Sequence, residues 1–254
     1  MGDRVVGGFQ RALVVGASSG IGEALARRLA ASGAKVALVA RRGEDLHRIA
    51  SEIEAAEGEG RALAFAHDVL DFEAVPALFQ EIARALGGLD LVVYAAGMIL
   101  PVEPDEYDTV KDLEMLRVNL LGAVAWLNPA ADRFARLGRG TIVGIGSVAG
   151  DRGRSPNPVY GTSKAGLHTY LEALRNRVAR QGVKVVTIKP GFVDTAMTRG
   201  KDGLFWLISA DRAAEIILRA ARRGAVTAYV PARWRLVMAI LRAIPSFIFA
   251  RLGI

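Results

Sequence analysis

The chain contains no cysteine, which excludes disulfides, thiolate metal sites and cysteine nucleophiles together. Histidine is almost as scarce. His47, His67 and His168 are scattered without metal-ligand spacing, so surface or supporting positions are expected for them, and no metal site. No uncharged apolar run approaches the ~20 residues needed to span a bilayer. The amino end has no signal-peptide core, because Asp3, Arg4 and Arg11 bracket only a short run. Val6 breaks the myristoylation pattern that Met1-Gly2 opens. A cytoplasmic protein, with peripheral membrane contact at most, is the expectation. Acid is in deficit, with 26 Asp and Glu against 33 Lys and Arg, a net charge of +7. The excess arginine is spread over many segments without a basic helix or zinc finger, so no nucleic acid partner is expected. Cofactor phosphates or lipid headgroups account for the sign of the charge equally well.

Apolar residues, by contrast, make up 52% of 254 positions, enough for a thick core. Short apolar runs alternate with helical patterns, the signature of an α/β fold with a parallel sheet. There is no linker, low-complexity segment or longer repeat. One domain is expected, 1–232, with 233–254 as an apolar and basic extension of it.

The first run, Arg11 to Val15, leads straight into Gly16-Ala-Ser18-Ser19-Gly20-Ile21-Gly22 and then a helical pattern. Strand, glycine turn and helix form a phosphate-binding arrangement. Glycine lets the backbone approach closely, and the helix start offers unpaired N–H groups to an anion. The second strand ends at Ala40-Arg41-Arg42, where many dinucleotide folds carry an acid for the ribose 2′-OH. Two guanidiniums suit a 2′-phosphate instead, so NADP(H) is expected ahead of NAD(H). A third strand closes at Asp68-Val69. The strand 89–94 stops at Ala95-Ala96-Gly97, small residues that admit a flat ring or simply tight packing. A long helix is expected over 109–137. It contains Asn119, whose amide serves either a local helix–helix bond or a proton relay.

The chemistry is expected between Ser147 and Lys164. Ser147 closes the apolar strand beginning at Thr141, placing its hydroxyl where open α/β sheets bind ligands. Tyr160 and Lys164, four apart, share one face of a helix, and a nearby ammonium would lower the phenol's pKa toward working pH. Pro190-Gly191 breaks a later strand, with glycine again expected to admit a ligand. The segment 192–208 is too apolar for a plain loop and suggests the wall or lid of an apolar pocket. Arginines among apolar residues in 233–254 fit an interfacial helix, a dimer contact or a flap over the substrate, beside plain packing on its own or a partner's domain.

Gly16-x-x-x-Gly20-x-Gly22, Asn119, Ser147, Tyr160 and Lys164 together resemble the classical short-chain dehydrogenases/reductases, over about residues 11–230. The resemblance implies a single Rossmann-like, doubly wound parallel sheet, commonly of seven strands with helices on both faces, assembled as a homodimer or homotetramer. It implies an NADP(H)-dependent oxidoreductase acting on a ketone or secondary alcohol. By the same likeness Gly16, Ser18, Ser19, Gly20, Ile21 and Gly22 take the cofactor phosphates, Arg41 and Arg42 the 2′-phosphate, and Asp68-Val69 the adenine. Pro190, Gly191, Val193 and Thr195 flank the nicotinamide, with Ala95, Ala96 and Gly97 beneath it. Tyr160 is the acid/base, Ser147 orients the carbonyl, Lys164 tunes Tyr160 and holds the ribose, and Asn119 keeps a relay water. One departure is visible: the family's usual Asn-Asn-Ala-Gly stands here as Tyr94-Ala95-Ala96-Gly97. A catalytically silent NADP-binding sensor or scaffold is the rival reading, and a methyltransferase would leave Tyr160 and Lys164 unexplained.

Overall fold

The structure is a computed structural model and describes residues 8–103, 105–200 and 203–252. Its strands in chain order are β1 (Arg11–Val15), β2 (Lys35–Ala40), β3 (Ala62–Ala66), β4 (Leu91–Tyr94), β5 (Gly140–Ile145), β6 (Val183–Pro190), β7 (Val193–Asp194), β8 (Ile208–Ser209) and β9 (Thr227–Val230). Seven of them form one parallel sheet in the order β3-β2-β1-β4-β5-β6-β9, while β7 and β8 pair separately. The order reverses between β1 and β4. That reversal opens a crevice at the strands' carboxyl ends, because the connections leave to opposite sides there.

The helices follow as α1 (Gly20–Ala31), α2 (Gly43–Glu57), α3 (Val75–Ala85), α4 (Thr109–Leu116), α5 (Gly122–Leu137), α6 (Pro158–Arg177), α7 (Ala210–Arg223), α8 (Trp234–Ala243) and α9 (Ser246–Phe249). Each central strand is apolar on both faces, as a sheet covered on both sides requires. One core packs Val14, Leu38 and Val186 against Leu25 and Ile49 and against Ile217 of α7. The other packs Leu13, Val92 and Ile142 against Phe79, Trp126 and Phe134 and against Leu171 of α6.

Helix α3 begins at Val75, just after Ala74, whose N–H donates to the Asp71 carboxylate. Helix α6 ends at Arg177, short of the left-handed Gly182. One sequence expectation is corrected at element level. The long helix over 109–137 is interrupted at Arg117–Leu121 by a π turn. Such an insertion widens one turn of helix, often at a functional position, and Asn119 sits inside it.

Candidate active site

A cleft of about 490 Å³ runs from the first glycine turn to the start of α6. Every residue expected at the cofactor or at the chemistry lines it, except Asp68, which is partly exposed beside Arg41, and Asn119, which is buried. At one end Gly16 leaves β1 with φ +90°, and a Cβ there would lie 2.3 Å from Ala96 N. Gly16 thus lets the turn close against the end of β4. Gly22 is equally constrained, since a Cβ would meet Gly16 O at 2.0 Å.

Arg41 and Arg42 flank this turn. Arg42 donates to Ser18 Oγ at 2.9 Å and pairs with Asp45 at 2.9 Å. Arg41 lies 3.9 Å from Asp68, so the acid expected at the adenine faces a guanidinium, while Val69 lines the cleft. Both arginine side chains are more than half exposed. Their heads lie exposed beside the turn, within reach of an anion in the cleft they line.

At the other end α6 starts with Pro158, and Asn157 caps it by accepting from Tyr160 N at 3.1 Å. The Asn157 amide also donates to Leu100 O at 3.0 Å, tying this helix to the segment after β4. Tyr160 and Lys164 therefore enter the cleft one turn apart, as their spacing requires. Lys164 is buried and donates to Ile145 O at 3.1 Å. Burial lowers its pKa to about 8. Its ammonium lies 5.9 Å from the centre of the Tyr160 ring.

The Tyr160 phenol departs from expectation. Burial pushes its pKa up, and the opposing pull comes from the Ser147 hydroxyl and the Arg154 guanidinium, not from Lys164. Desolvation of the phenolate outweighs both.

Asn119 is fully buried. Its Oδ1 accepts from Met98 N at 2.8 Å, and its Nδ2 donates to Met98 O at 2.9 Å and to Ser163 Oγ at 3.0 Å. Both amide protons are engaged locally. A Cβ on Gly97 would come within 3.2 Å of both Asn119 Oδ1 and Lys164 Nζ, so Gly97 makes room for this pair. Gly191 lines the cleft, and it is constrained from its other side. The direction a side chain would take there is filled by the Trp234 indole, 1.9 Å from a built Cβ.

Ser147 rests on groups the sequence did not single out. Its backbone N–H points at His168 Nε2, 3.4 Å away. Burial holds the His168 pKa down to about 3, so the ring is neutral. Its Nδ1 lies 3.6 Å from buried Asp151. That carboxylate also takes Lys189 at 2.5 Å and the Tyr229 hydroxyl at 2.6 Å. Glycines at 146 and 150 leave space for the imidazole. Scattered histidine spacing carries no signal of this cluster.

Beyond the cleft-lining residues 193 and 195–198, Phe192, Phe205 and Trp206 pack against the start of α8. Phe192, Phe205, Trp206 and Trp234 form one aromatic cluster with ring centroids 5.2–5.7 Å apart. Trp206 has φ +61°, a left-handed conformation that bulky residues rarely adopt. The cluster and Arg233, stacked 4.6 Å from its ring, hold it there. Trp234 and Met238 are buried on Val148, next to Ser147. The cleft also includes Ala196 and Met197 from the 192–208 segment, and Met98 and Ile99, apolar positions not singled out from sequence.

A glycine turn at the switch point of a doubly wound sheet, with a Tyr–Lys pair at the far end of the same cleft, defines a dinucleotide-dependent oxidoreductase. Residues 10–203 match the model of the short chain dehydrogenase family. The chain is 35% identical over 191 residues to an uncharacterized oxidoreductase of Staphylococcus epidermidis, covering 75% of this chain and 81% of that one. A Staphylococcus aureus oxidoreductase is 34% identical over 187 residues, with 74% and 79% covered. Among solved structures, a Sinorhizobium meliloti protein assigned as a short-chain alcohol dehydrogenase superposes with a TM-score of 0.80 at 30% identity, over 89% of this chain and 96% of that one. ElxO, in a structure with NADP bound, shares the fold with a TM-score of 0.77 at 23% identity, over 84% and 91%. The chain belongs to the short-chain dehydrogenase/reductase family. It is an oxidoreductase acting on CH–OH and C=O groups, and a nicotinamide cofactor goes with that membership.

Proposed function

We propose that the protein is an NADP(H)-dependent carbonyl reductase, reversible as an alcohol dehydrogenase, for a small-molecule ketone bearing an apolar chain. The convergence of Ser147, Tyr160 and Lys164 at one end of a cleft whose other end is a glycine turn carries this reading. The cofactor's fit is supported by buried Lys164, whose single protein acceptor is Ile145 O among the described residues, leaving N–H groups for ribose hydroxyls. Arg41 and Arg42 beside Ser18 favour a 2′-phosphate, hence NADP(H) before NAD(H). When bound, the nicotinamide would supply the hydride.

In the same reading the chain's residues bind and move the proton. Ser147, fixed from behind by His168, orients the carbonyl oxygen. Tyr160 donates its phenolic proton to that oxygen and recovers it in the reverse direction. The Lys164 charge holds the ribose and, once paired with it, favours the phenolate. Asn119 fixes Met98 and Ser163 around this pair and leaves one Oδ1 lone pair for a relay water.

Ala196 and Met197 on one side and Met98 and Ile99 on the other support an apolar substrate chain. Residues 233–254 are read as an extension of the catalytic domain, because Trp234 and Met238 complete its core beside Val148. Leu236, Ile240, Phe247 and Ile248 stay exposed on that extension, and 233–254 contains four arginines and no acid. That combination supports peripheral contact with an anionic membrane. No helix among the described residues is long and apolar enough to cross one. A homodimer or homotetramer is proposed from family membership.

Tyr160→Phe tests the central assignment. Turnover of medium-chain ketones, followed by NADPH absorbance, should fall at least ~100-fold while NADPH binding by calorimetry is unchanged. Near wild-type turnover in this variant would remove Tyr160 from its role. An unaltered protein that binds NADPH but reduces no ketone would favour a silent sensor.

A further inference from the structure

Ser147 stands between two glycines that make room for one imidazole. A Cβ on Gly146 would lie 2.2 Å from His168 Nε2, and one on Gly150 would lie 2.8 Å from His168 Cε1. The ring therefore fills the space behind the serine. Ser147 N–H donates to His168 Nε2 at 3.4 Å, so that nitrogen must present a lone pair. A neutral imidazole with an accepting Nε2 holds its proton on Nδ1. The Ser147 hydroxyl meanwhile accepts from Ala149 N at 3.1 Å. Its side chain is thus oriented from within its own turn, and its backbone from the histidine.

Nδ1 faces Asp151. Oδ1 of that carboxylate lies 3.6 Å away, beyond hydrogen-bond length but close enough for its charge to act. The Asp151 side chain is only 2% exposed and is held from two neighbouring strands. Lys189 on β6 donates to Oδ1 at 2.5 Å, and Tyr229 on β9 donates to Oδ2 at 2.6 Å. Lys189 and Tyr229 are partners in the β6–β9 register, so the sheet presents both donors at one place. Lys189 runs directly into Pro190 and Gly191, which line the cleft. One carboxylate therefore connects the serine turn to the strand end beside the cofactor residues.

We propose that Asp151 is a positioning residue for the reaction: it keeps His168 in the Nδ1–H tautomer that accepts from Ser147 N, and so sets the serine hydroxyl against the substrate's carbonyl oxygen. The inference rests on the reductase reading and deepens it by naming what holds its serine. Histidine alone does not suffice, because the Nε2–H tautomer would turn a proton toward the Ser147 N–H. Two donors would then oppose each other across 3.4 Å, and the serine would have to retreat. A buried ion pair such as Asp151–Lys189 adds little net stability, since desolvating both charges offsets their attraction. Its contribution here is geometric.

The tautomer can be read without turnover. Nitrogen NMR on the full-length protein labelled at histidine should show one ring, missing in His168→Gln, with its proton on Nδ1. Asp151→Leu combined with Lys189→Met removes both buried charges, so no unpaired ion is left behind. In that double variant the His168 proton should move to Nε2, and kcat for ketone reduction should fall roughly 10- to 100-fold. His168→Gln, whose side-chain carbonyl can accept from Ser147 N, should keep much of the wild-type kcat, whereas His168→Leu should lose it as the double variant does. A Tm and an NADP+ affinity near wild type in each variant separate this loss from unfolding. A proton on Nε2 in wild type would overturn the proposal, as would an unmoved tautomer or an undiminished kcat in the double variant. Equal losses in His168→Gln and His168→Leu would reduce the ring to a space-filler and overturn it too. If wild type reduces no ketone while the tautomer shifts as stated, the reductase reading fails and the arrangement around Ser147 stands.

Discussion

The Tyr94 hydroxyl donates to the Val118 carbonyl at 2.6 Å, joining the end of β4 to the π turn that holds Asn119. Tyr94 stands where the resemblance implies an amide, and its phenol supplies this bond to the π turn. Complete burial drives its pKa far above the ordinary phenol value, so it serves as a fixed donor. Gly122 permits this, since a Cβ there would lie 2.4 Å from the Tyr94 oxygen.

Tyr94→Phe should therefore leave Val118 O buried and unpaired, at a cost of about 1–3 kcal/mol, read as a lower Tm. Gly122→Ala should cost a similar amount by pushing the phenol away. The two losses should not add, because removing the hydroxyl removes the clash. Additive losses in a double-mutant cycle would disprove the coupling.

The cofactor preference depends on the two guanidiniums at the end of β2. Arg41→Ala with Arg42→Ala should raise KM for NADPH roughly 10- to 100-fold, the equivalent of one or two charge-assisted hydrogen bonds. KM for NADH should move little. Equal losses for both cofactors would show that the pair supports the turn rather than reading a phosphate.

Lys164 gives a pH signature. Its folded pKa of about 8 lies below the ordinary lysine value of 10.5, so between those values the unfolded chain binds more protons than the native one. Stability must then rise with pH across that window through this group, at about 1.4 kcal/mol for each pH unit crossed. The Tm difference between wild type and Lys164→Met, without cofactor, should increase in favour of wild type from pH 8 to 10. A flat difference would mean that the lysine titrates normally.

Gly191→Ala should unseat Trp234. The added methyl would overlap the indole, so α8 would have to leave Val148. Limited proteolysis should then cut within 233–252 much faster than in wild type, while the parallel sheet persists by circular dichroism. Protection equal to wild type would refute the packing.

Much of this is legible in the residues themselves. The glycine turn, the Tyr160–Lys164 spacing and the β2 arginines are local signals, and local geometry places them in one cleft. What the sequence hides are contacts between distant segments. Nothing around Asp151 announces that Lys189, Tyr229 and His168 converge on it. The effect of Lys164 on Tyr160 differs from expectation for the same reason. A four-residue spacing reports proximity, whereas the pKa depends on how much water the fold removes, which spacing does not reveal. The π turn at Asn119 is also hidden, because the apolar periodicity continues smoothly from α4 into α5.

The edge-to-face contact of Trp206 with Trp234 has a mechanical result. The left-handed Trp206 and the start of α8 cannot shift independently, since each supplies the surface on which the other rests. Any change that frees one of these two rings therefore loosens the other as well.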